Sequence, residues 1–208
     1  VGSHASSMYL RKNSPEAYDE SSNPSKRSPR SRAIAHEAAR LVSDGESLLL
    51  DSGTTALEFV RALSSHSSLT IVTADLTIAE YVDRSMPGCD VVLLGGLLRK
   101  AHRYTSGPLA LAALAGLRTD SAFLCPGAFA PERGFMTDYQ SMAQLKHEML
   151  HAAGRRYCLI DASKVGAGGL MRFAGPDDFE AIVMDRDPDG IVAGQTEGLG
   201  VRLVLAQA

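Results

Sequence analysis

Residues 48–58 read Leu-Leu-Leu-Asp-Ser-Gly-Thr-Thr-Ala-Leu-Glu and constrain the fold more than any other part of the chain. The three leucines predict a buried strand, and the apolar stripe that begins at Ala56 predicts a helix. The small residues between them predict a tight turn that leaves the first N–H groups of the helix free. Together with the positive end of the helix dipole, such groups favour a phosphate or carboxylate ligand. A capped helix without a ligand is the alternative, because Ser and Thr are favoured caps.

Short apolar runs alternate with helical patterns along the rest of the chain. Strand-like runs lie near residues 47–51, 69–73, 90–94, 120–125, 156–161, 180–184 and 201–205. A first helix is predicted from Ser31, and later helices near residues 54–63, 76–84, 107–116 and 139–153. This alternation predicts an α/β fold with a mostly parallel sheet and helices on both faces. Residues 134–138 are predicted to form a loop, and the Gly-rich residues 163–176 a long loop with room for a short edge strand.

The composition of the chain limits its possible domain organisation and the classes of partner that it could bind. Residues 1–30 are predicted to be a tag remnant followed by a flexible linker or arm, and residues 31–208 a single folded domain. The formal net charge of −3 gives no general attraction to nucleic acid or to anionic membranes. No apolar run is long enough to span a membrane, and three cysteines without metal-site spacing indicate free thiols in a reducing cytoplasm.

A small basic cluster lies around the end of the predicted arm. It comprises Lys26, Arg27, Arg30 and Arg32. A contact with nucleic acid is one interpretation of these charges, and a solvated linker is the other. The arm favours a tethered domain, because a stand-alone enzyme has no need of a tether.

Polar residues and glycines recur where the predicted strands end. In a parallel sheet these ends lie along one edge, where ligands bind. The candidates after the first five predicted strands are Asp51, Ser52, Gly53, Thr54, Thr55, Thr73, Asp75, Gly95, Gly96, Arg99, Gly127, Asp161 and Lys164. Asp138 and Lys146 lie close enough in sequence to reach the same site. Hydroxyl and N–H donors, carboxylates and cations together predict a crevice for a polar, phosphorylated, polyhydroxylated ligand.

A zinc-binding pattern is also present but is weakly supported. His147, Glu148 and His151 match H-E-x-x-H, which places both histidines on one face of a helix. Tyr157 stands where a third histidine ligand would be expected. Gly154 is better explained as a helix C-cap before a core strand. We therefore expect no metal at this motif, and the sequence predicts no cofactor elsewhere.

Several motifs in this order resemble one family. They are Arg32-Ala33-Ile34-Ala35, Asp51-Ser52-Gly53-Thr54-Thr55, Thr70-Ile71-Val72-Thr73, Leu94-Gly95-Gly96-Leu97-Leu98-Arg99 and Asp161-Ala162-Ser163-Lys164. From about residue 31 to about residue 187 the chain resembles the C-terminal effector-sensing domain of DeoR-family bacterial transcriptional regulators. The resemblance implies the fold of ribose-5-phosphate isomerases and CoA transferases, and a phosphorylated sugar or related metabolite as effector. It also implies a homo-oligomer that controls operator binding, usually as a repressor.

The resemblance also implies roles for single residues. Residues 52–55 would grip the phosphate, with Asp51, Thr73, Gly95, Gly96 and Arg99 lining the crevice and Lys146, Asp161 and Lys164 closing it. The family usually has Asn where Ala74 stands and Glu where Met142 stands, and Asp75 and Asp138 are the candidates to compensate. No helix-turn-helix pattern fits residues 1–30. The expectation is therefore that operator DNA is bound only through an N-terminal domain absent from this sequence, and that no membrane is involved.

Two enzymatic alternatives remain beside the sensor. A sugar-phosphate isomerase on the same fold needs a carboxylate base and an oxyanion stabiliser. Asp138 or Asp161 are the candidate bases, with Lys146 or Lys164 as the electrophile. The other alternative is a zinc hydrolase built on the H-E-x-x-H motif.

Overall fold

A seven-stranded parallel sheet organises the chain, which the computed structural model describes over residues 28–206. In chain order the strands are β1 (Ser47–Leu50), β2 (Thr70–Thr73), β3 (Asp90–Leu93), β4 (Leu97–Arg99), β5 (Tyr104–Ser106), β6 (Thr119–Leu124), β7 (Ala128–Ala130), β8 (Gly134–Thr137), β9 (Ala153–Ile160), β10 (Met171–Ala174), β11 (Ala181–Met184) and β12 (Arg202–Leu205). Within this range the α-helices are α1 (Pro29–Ala39), α2 (Thr54–Ala62), α3 (Leu76–Ser85), α4 (Pro108–Ala115), α5 (Gln140–His151) and α6 (Ile191–Thr196).

Alternate residues of β1 show how the sheet is covered. Leu48 and Leu50 pack into one core with the apolar sides of α1, α2 and α3. Leu49 points to the opposite face and packs with α4, α5 and α6. Both faces of a central strand are buried in this way, so its sequence is a continuous apolar run. The predicted fold class, a mostly parallel sheet with helices on both faces, is confirmed.

The strand order reverses between β1 and β6. The main sheet has the order β12-β11-β9-β6-β1-β2-β3, and all its neighbouring strands are parallel. The chain first winds outward from β1 through β2 to β3. It then returns to place β6 on the other side of β1 and winds outward through β9, β11 and β12. A crevice forms where the winding reverses, beyond the carboxyl ends of β1 and β6.

Two small antiparallel sheets accompany the seven-stranded sheet. One has the order β10-β8-β7, and the other pairs β4 with β5. The loop predicted for residues 134–138 is wrong, because Phe135 and Met136 pair with β7 and β10 and are fully buried. The edge strand allowed for in residues 163–176 is confirmed as β10, which pairs with β8.

The first described helix begins earlier than the sequence suggested. Helix α1 starts at Pro29, two residues before the expected domain boundary at Ser31. Proline is favoured in the first helical turn because its missing N–H would have no partner there. The tag remnant and most of the predicted arm, residues 1–27, lie outside the described residues. Between residues 28 and 206 the chain has no helix that is long and apolar enough to cross a membrane.

Candidate functional site

A cavity of about 470 Å³ opens at the point where the strand order reverses. It lies beyond the carboxyl ends of β1, β6 and β9, and the starts of α1 and α2 form part of its wall. Its lining residues are Ser28, Arg30, Ser31, Ser52, Gly53, Thr54, Thr55, His102, Tyr104, Cys125, Pro126, Gly127, Thr137, Tyr139, Met142, Lys146, Leu159, Ile160, Asp161, Ser163 and Lys164. Hydroxyls and cations share this lining with apolar side chains, a mixture that suits a polar anionic ligand.

The start of α2 contributes four predicted residues to this lining. Ser52, Gly53, Thr54 and Thr55 all border the cavity. Gly53 is the N-cap with φ of 120°, a backbone conformation that favours glycine. The first α-helical bond runs from the Leu57 N–H to the Gly53 carbonyl, 3.0 Å away. Of the N–H groups ahead of Leu57, those of Ser52 and Gly53 donate to Asp51 and Asp75, and that of Ala56 donates to the Cys125 thiol. The N–H groups of Thr54 and Thr55 have no carbonyl partner within the helix and are available to an anion.

Asp51 and Lys146 form a buried ion pair at the floor of the cavity. Both side chains are almost fully buried, with Lys146 Nζ in direct contact with Asp51 Oδ2. The same ammonium donates to the Cys125 carbonyl at 2.8 Å. Asp51 also accepts from the N–H groups of Ser52 at 2.8 Å and Cys125 at 2.7 Å. The pair thus ties together the exits of β1 and β6 and helix α5, so Asp51 has few positions left for a ligand.

Cys125 lies beside this ion pair but lacks the chemistry of a nucleophile. Burial raises the pKa of its thiol well above the ordinary value, and the Asp51 carboxylate adds to the rise more than Lys146 opposes it. The thiol is protonated at neutral pH, whereas the thiolate is the reactive form.

The opposite wall of the cavity is a short 3₁₀ turn at Ala162–Lys164. Asp161 caps it, and its Oδ1 accepts from the Ser163 N–H at 3.0 Å and from the Ser163 hydroxyl. The predicted residues Asp161 and Lys164 line the cavity here, and so does Gly127 after β6. This wall brings a carboxylate, a hydroxyl and an ammonium to face the start of α2.

Three predicted residues lie outside the lining and have roles in the framework, namely Asp51, described above, Thr73 and Asp75. Thr73 is fully buried, and its hydroxyl accepts from the Asp75 N–H at 3.1 Å. Asp75 is the N-cap of α3, accepting from the N–H groups of Thr77 and Ile78, and its other oxygen accepts from Gly53 N–H at 3.2 Å. Burial raises the pKa of the Asp75 carboxyl above its ordinary value. Asp75 thus orients the turn that precedes α2 without itself lining the cavity.

Gly95, Gly96, Arg99 and Asp138 are also absent from the lining. A Cβ on Gly96 would lie 2.7 Å from the Ser106 carbonyl oxygen, so glycine is needed there for packing, whereas Gly95 has no such neighbour. The Arg99 guanidinium stacks on the Tyr139 ring with its carbon 3.1 Å from the ring centroid, and thereby supports a residue of the lining. Asp138 is exposed to solvent.

Other residues of the lining were not predicted. Ser28, Arg30 and Ser31 come from the start of α1, and the Ser31 hydroxyl lies 3.3 Å from the Thr55 hydroxyl. Proline directly after serine is a helix-start signal that could have assigned Ser28 and Arg30 to the folded domain. Tyr104, Thr137 and Tyr139 follow or belong to short strands that the sequence pattern did not indicate.

The H-E-x-x-H motif lies on the outer side of α5. His147 and His151 are exposed, with their Nε2 atoms 3.2 Å apart, and His147 Nδ1 lies 3.3 Å from the Phe173 carbonyl oxygen. Over residues 28–206 no group of three or more His, Cys, Asp or Glu side chains is arranged to hold a metal. The prediction of Gly154 as a C-cap is wrong, because α5 ends at His151 and Gly154 lies inside β9 close to the Asp120 carbonyl.

The fold and the cavity define an open α/β domain with a polar cavity at its strand ends. A family model described as the DeoR C terminal sensor domain matches residues 27–186, and the chain belongs to this family. The chain is 31% identical over 168 residues to the uncharacterized HTH-type transcriptional regulator YgbI of Escherichia coli K12, covering 80% of this chain and 64% of the relative. It is 26% identical over 177 residues to the HTH-type transcriptional repressor GlcR of Bacillus subtilis, covering 84% and 66%.

The chain therefore spans about two thirds of the length of these relatives. Both are named as transcription regulators, and the family places the chain among sensor domains and not among enzymes. Among solved structures it is similar to ribose-5-phosphate isomerase A of Neisseria gonorrhoeae, with a TM-score of 0.47 and 15% identity over 65% of this chain and 52% of that chain. At this identity the likeness concerns the fold alone.

Proposed function

We propose that this domain binds a phosphorylated sugar or a related metabolite and so controls DNA binding by a helix-turn-helix domain of the intact regulator. The observation that carries the proposal is the cavity in which the start of α2 faces the Ala162–Lys164 turn. A phosphoryl group at residues 52–55 would receive the N–H groups of Thr54 and Thr55, the neighbouring hydroxyls and the positive end of the helix dipole. Lys164 and Arg30 would supply the counter-charge.

The rest of the lining fits the remainder of such a ligand. Thr137, Ser163 and Asp161 offer hydroxyl and carboxylate oxygens to sugar hydroxyls, and Tyr104 and Tyr139 offer ring faces. Turnover has less support than sensing. Of the two candidate bases for an isomerase, Asp138 is exposed outside the lining, and Asp161 Oδ1 already accepts two hydrogen bonds from Ser163.

The intact regulator is proposed to act as a homo-oligomeric repressor in the cytoplasm. The named relatives include a transcriptional repressor, which supports the direction of control. Exposed large apolar side chains between residues 92 and 109 support self-association. They are Val92 and Leu93 of β3, Leu97 and Leu98 of β4, and Leu109 of α4.

A thermal-shift panel tests the proposal on the 208-residue chain. Hexose, pentose and amino-sugar phosphates are each compared with the unphosphorylated sugar. A ligand at about 100 times its dissociation constant stabilises the fold by about 2.7 kcal/mol, which shifts the melting temperature measurably. We expect a shift confined to one or two phosphorylated compounds that are recovered unchanged. Conversion of the bound compound would indicate an isomerase, and the absence of any shift would contradict a phosphorylated effector.

A substitution in α2 ties the shift to the cavity. Thr54→Asp places a carboxylate where the phosphoryl group is proposed to bind, so like-charge repulsion should abolish the shift while the fold persists. Thr77→Asp is the matched control, since it makes the same change in the first turn of α3, outside the lining. Unchanged affinity in Thr54→Asp would remove the phosphate assignment.

A further inference from the structure

Arg30 borders two cavities of the described chain. One is the effector cavity of about 470 Å³, and the other is a cavity of about 650 Å³ between the outer side of α1 and the residues after β11. The Arg30 side chain is 49% exposed, so it is free to turn toward either space. It stands in the first turn of α1, the helix that directly follows residues 1–27.

The partner of Arg30 in this structure is Asp185, which follows β11. Arg30 Nε lies 3.6 Å from Asp185 Oδ2, an ion-pair distance that is longer than a charge-assisted hydrogen bond. A guanidinium carries five N–H donors in a planar fork that matches a phosphoryl group with two parallel hydrogen bonds. A phosphoryl group within reach would therefore satisfy Arg30 better than Asp185 does here.

Asp185 also holds the opposite wall of the effector cavity. Its Oδ1 accepts from the Ala162 N–H at 2.7 Å, at the start of the turn that carries Ser163 and Lys164. On the other side, the Ser31 hydroxyl meets the Thr55 hydroxyl at 3.3 Å, so the first turns of α1 and α2 are in contact. A ligand anion at the start of α2 thus lies beside Arg30 and competes with Asp185 for it.

We propose that Arg30 is an effector-binding residue that exchanges Asp185 for the anionic group of the ligand. The inference rests on the proposed function, because it needs an anionic effector in the same cavity. The exchange places the anionic group of the ligand against the first turn of α1. It also makes Asp185 a competitor that sets the affinity for anionic over uncharged ligands.

Affinities of four variants test the exchange. The probes are inorganic phosphate and the sugar phosphate that gives the largest shift in the panel, with its unphosphorylated sugar as the uncharged reference. Arg30→Ala should weaken binding of both anions about tenfold, the scale of a hydrogen bond to a charged group. Asp185→Asn keeps an acceptor for the Ala162 N–H, removes the competing charge and should tighten anion binding about threefold.

The remaining variants are the controls. Arg32→Ala removes the next arginine of α1, which borders the second cavity but not the effector cavity, and should leave the affinity unchanged. In the double variant Arg30→Ala/Asp185→Asn, the gain from Asp185→Asn should disappear. Thermal midpoints without ligand confirm that each variant folds.

When the wild type binds, the variants separate this inference from the proposed function. Binding by the wild type with no difference between Arg30→Ala and Arg32→Ala would overturn the role of Arg30 and leave the sensor intact. Weaker binding in Arg30→Ala without a gain in Asp185→Asn would overturn the exchange. Failure of the wild type to bind any of the phosphates would overturn both proposals together.

Discussion

Asp51 and Lys146 are charged side chains that the fold has removed from water, and they occur where three elements meet. Removing two charges from water costs several kcal/mol per ion unless each finds close partners. Asp51 has three donors, from Lys146 and from two backbone N–H groups, and Lys146 has a second acceptor in the Cys125 carbonyl. The pair therefore has a structural role, because it holds together the three elements that form the floor of the cavity. In the proposed complex, the phosphate would be contacted by other residues, whose hydrogen-bonding groups are less fully used.

Variants of Lys146 test whether the ion pair stabilises the fold. Lys146→Met keeps the length of the side chain but leaves the Asp51 charge without its counter-ion, and should lower the free energy of unfolding by about 3–5 kcal/mol. The double variant Asp51→Asn/Lys146→Met should recover much of that loss, because no uncompensated charge remains. Urea denaturation measures both values.

Lys164 provides the matched comparison for Lys146. It lines the cavity, and none of the ion pairs found among residues 28–206 involves it. Lys164→Met should therefore leave the stability almost unchanged and weaken phosphate binding. Equal losses of stability in the two lysine variants would contradict the assignment of Lys146 to the floor.

At the scale of elements, the starts of α2 and α3 are coupled through one carboxylate. Asp75 caps α3 with Oδ1 and holds the Gly53 N–H at the start of α2 with Oδ2. Because the carboxyl is buried, its pKa is raised despite these three hydrogen bonds. The geometry of the proposed anion site thus depends on the Asp75 side chain, whose charged form is disfavoured by burial.

A pH series on Asp75→Asn tests this coupling. A raised folded-state pKa contributes stability that is fully present below the ordinary value of 3.8 and is lost as the pH rises through the folded-state pKa. Asparagine does not titrate and keeps an acceptor for the cap. The stability of the variant relative to wild type should therefore increase as the pH is raised from below 3.8 toward neutrality. Denaturant unfolding at each pH measures the difference.

Asp120 supplies a control of opposite sign. Hydrogen bonds from the Ser47 hydroxyl and N–H lower the pKa of this exposed carboxyl, so its contribution is present above 3.8 and lost as the pH falls. Asp120→Asn should lose stability relative to wild type over the same rise in pH. If both variants followed the same trend, the assignment of the Asp75 shift to burial would be wrong.

The elements differ in how well the sequence could predict them. Central strands such as β1 and β9 are buried on both faces, so their apolar runs were recognised. Strands β4, β5 and β7 have three residues each, too few to establish an alternation of apolar and polar residues. The parallel sheet was therefore predicted, and the two antiparallel additions were missed apart from β10.

At the scale of the whole molecule, tertiary packing limits how much of the cavity lining can be predicted from the sequence. Residues 52–55, Gly127, Asp161 and Lys164 follow strand ends, and the rule for parallel sheets brings these ends together. Ser28, Arg30 and Ser31 reach the cavity only because α1 packs against α2, a tertiary contact that no local pattern encodes. Conversely, Thr73 and Asp75 also follow a strand end but point into the framework behind α2.

The exposed apolar surface on β3, β4 and α4 bears on the assembly of the whole molecule. Helix α4 reads Pro-Leu-Ala-Leu-Ala-Ala-Leu-Ala, so it carries no charge, yet Leu109 is 73% exposed. Leu97 is 79% exposed, and a Cβ on its neighbour Gly96 would lie 3.4 Å from the Ala110 side chain, so the start of β4 lies against α4. A helix that is apolar all round is normally covered. An uncharged patch is also complementary to a copy of itself across a two-fold axis.

Leu97→Glu tests whether this surface joins two copies of the chain. Across a two-fold axis the substitution brings two carboxylates into an apolar contact, which costs burial energy and adds like-charge repulsion. Light scattering with size-exclusion chromatography should show a dimer or larger assembly for the wild type and a monomer for Leu97→Glu. Leu170→Glu is the matched control, because Leu170 is 70% exposed but lies on the loop before β10, outside the patch. A monomeric wild type, or equal dissociation in both variants, would show that this surface does not join the copies, and the proposed repressor would then need another interface.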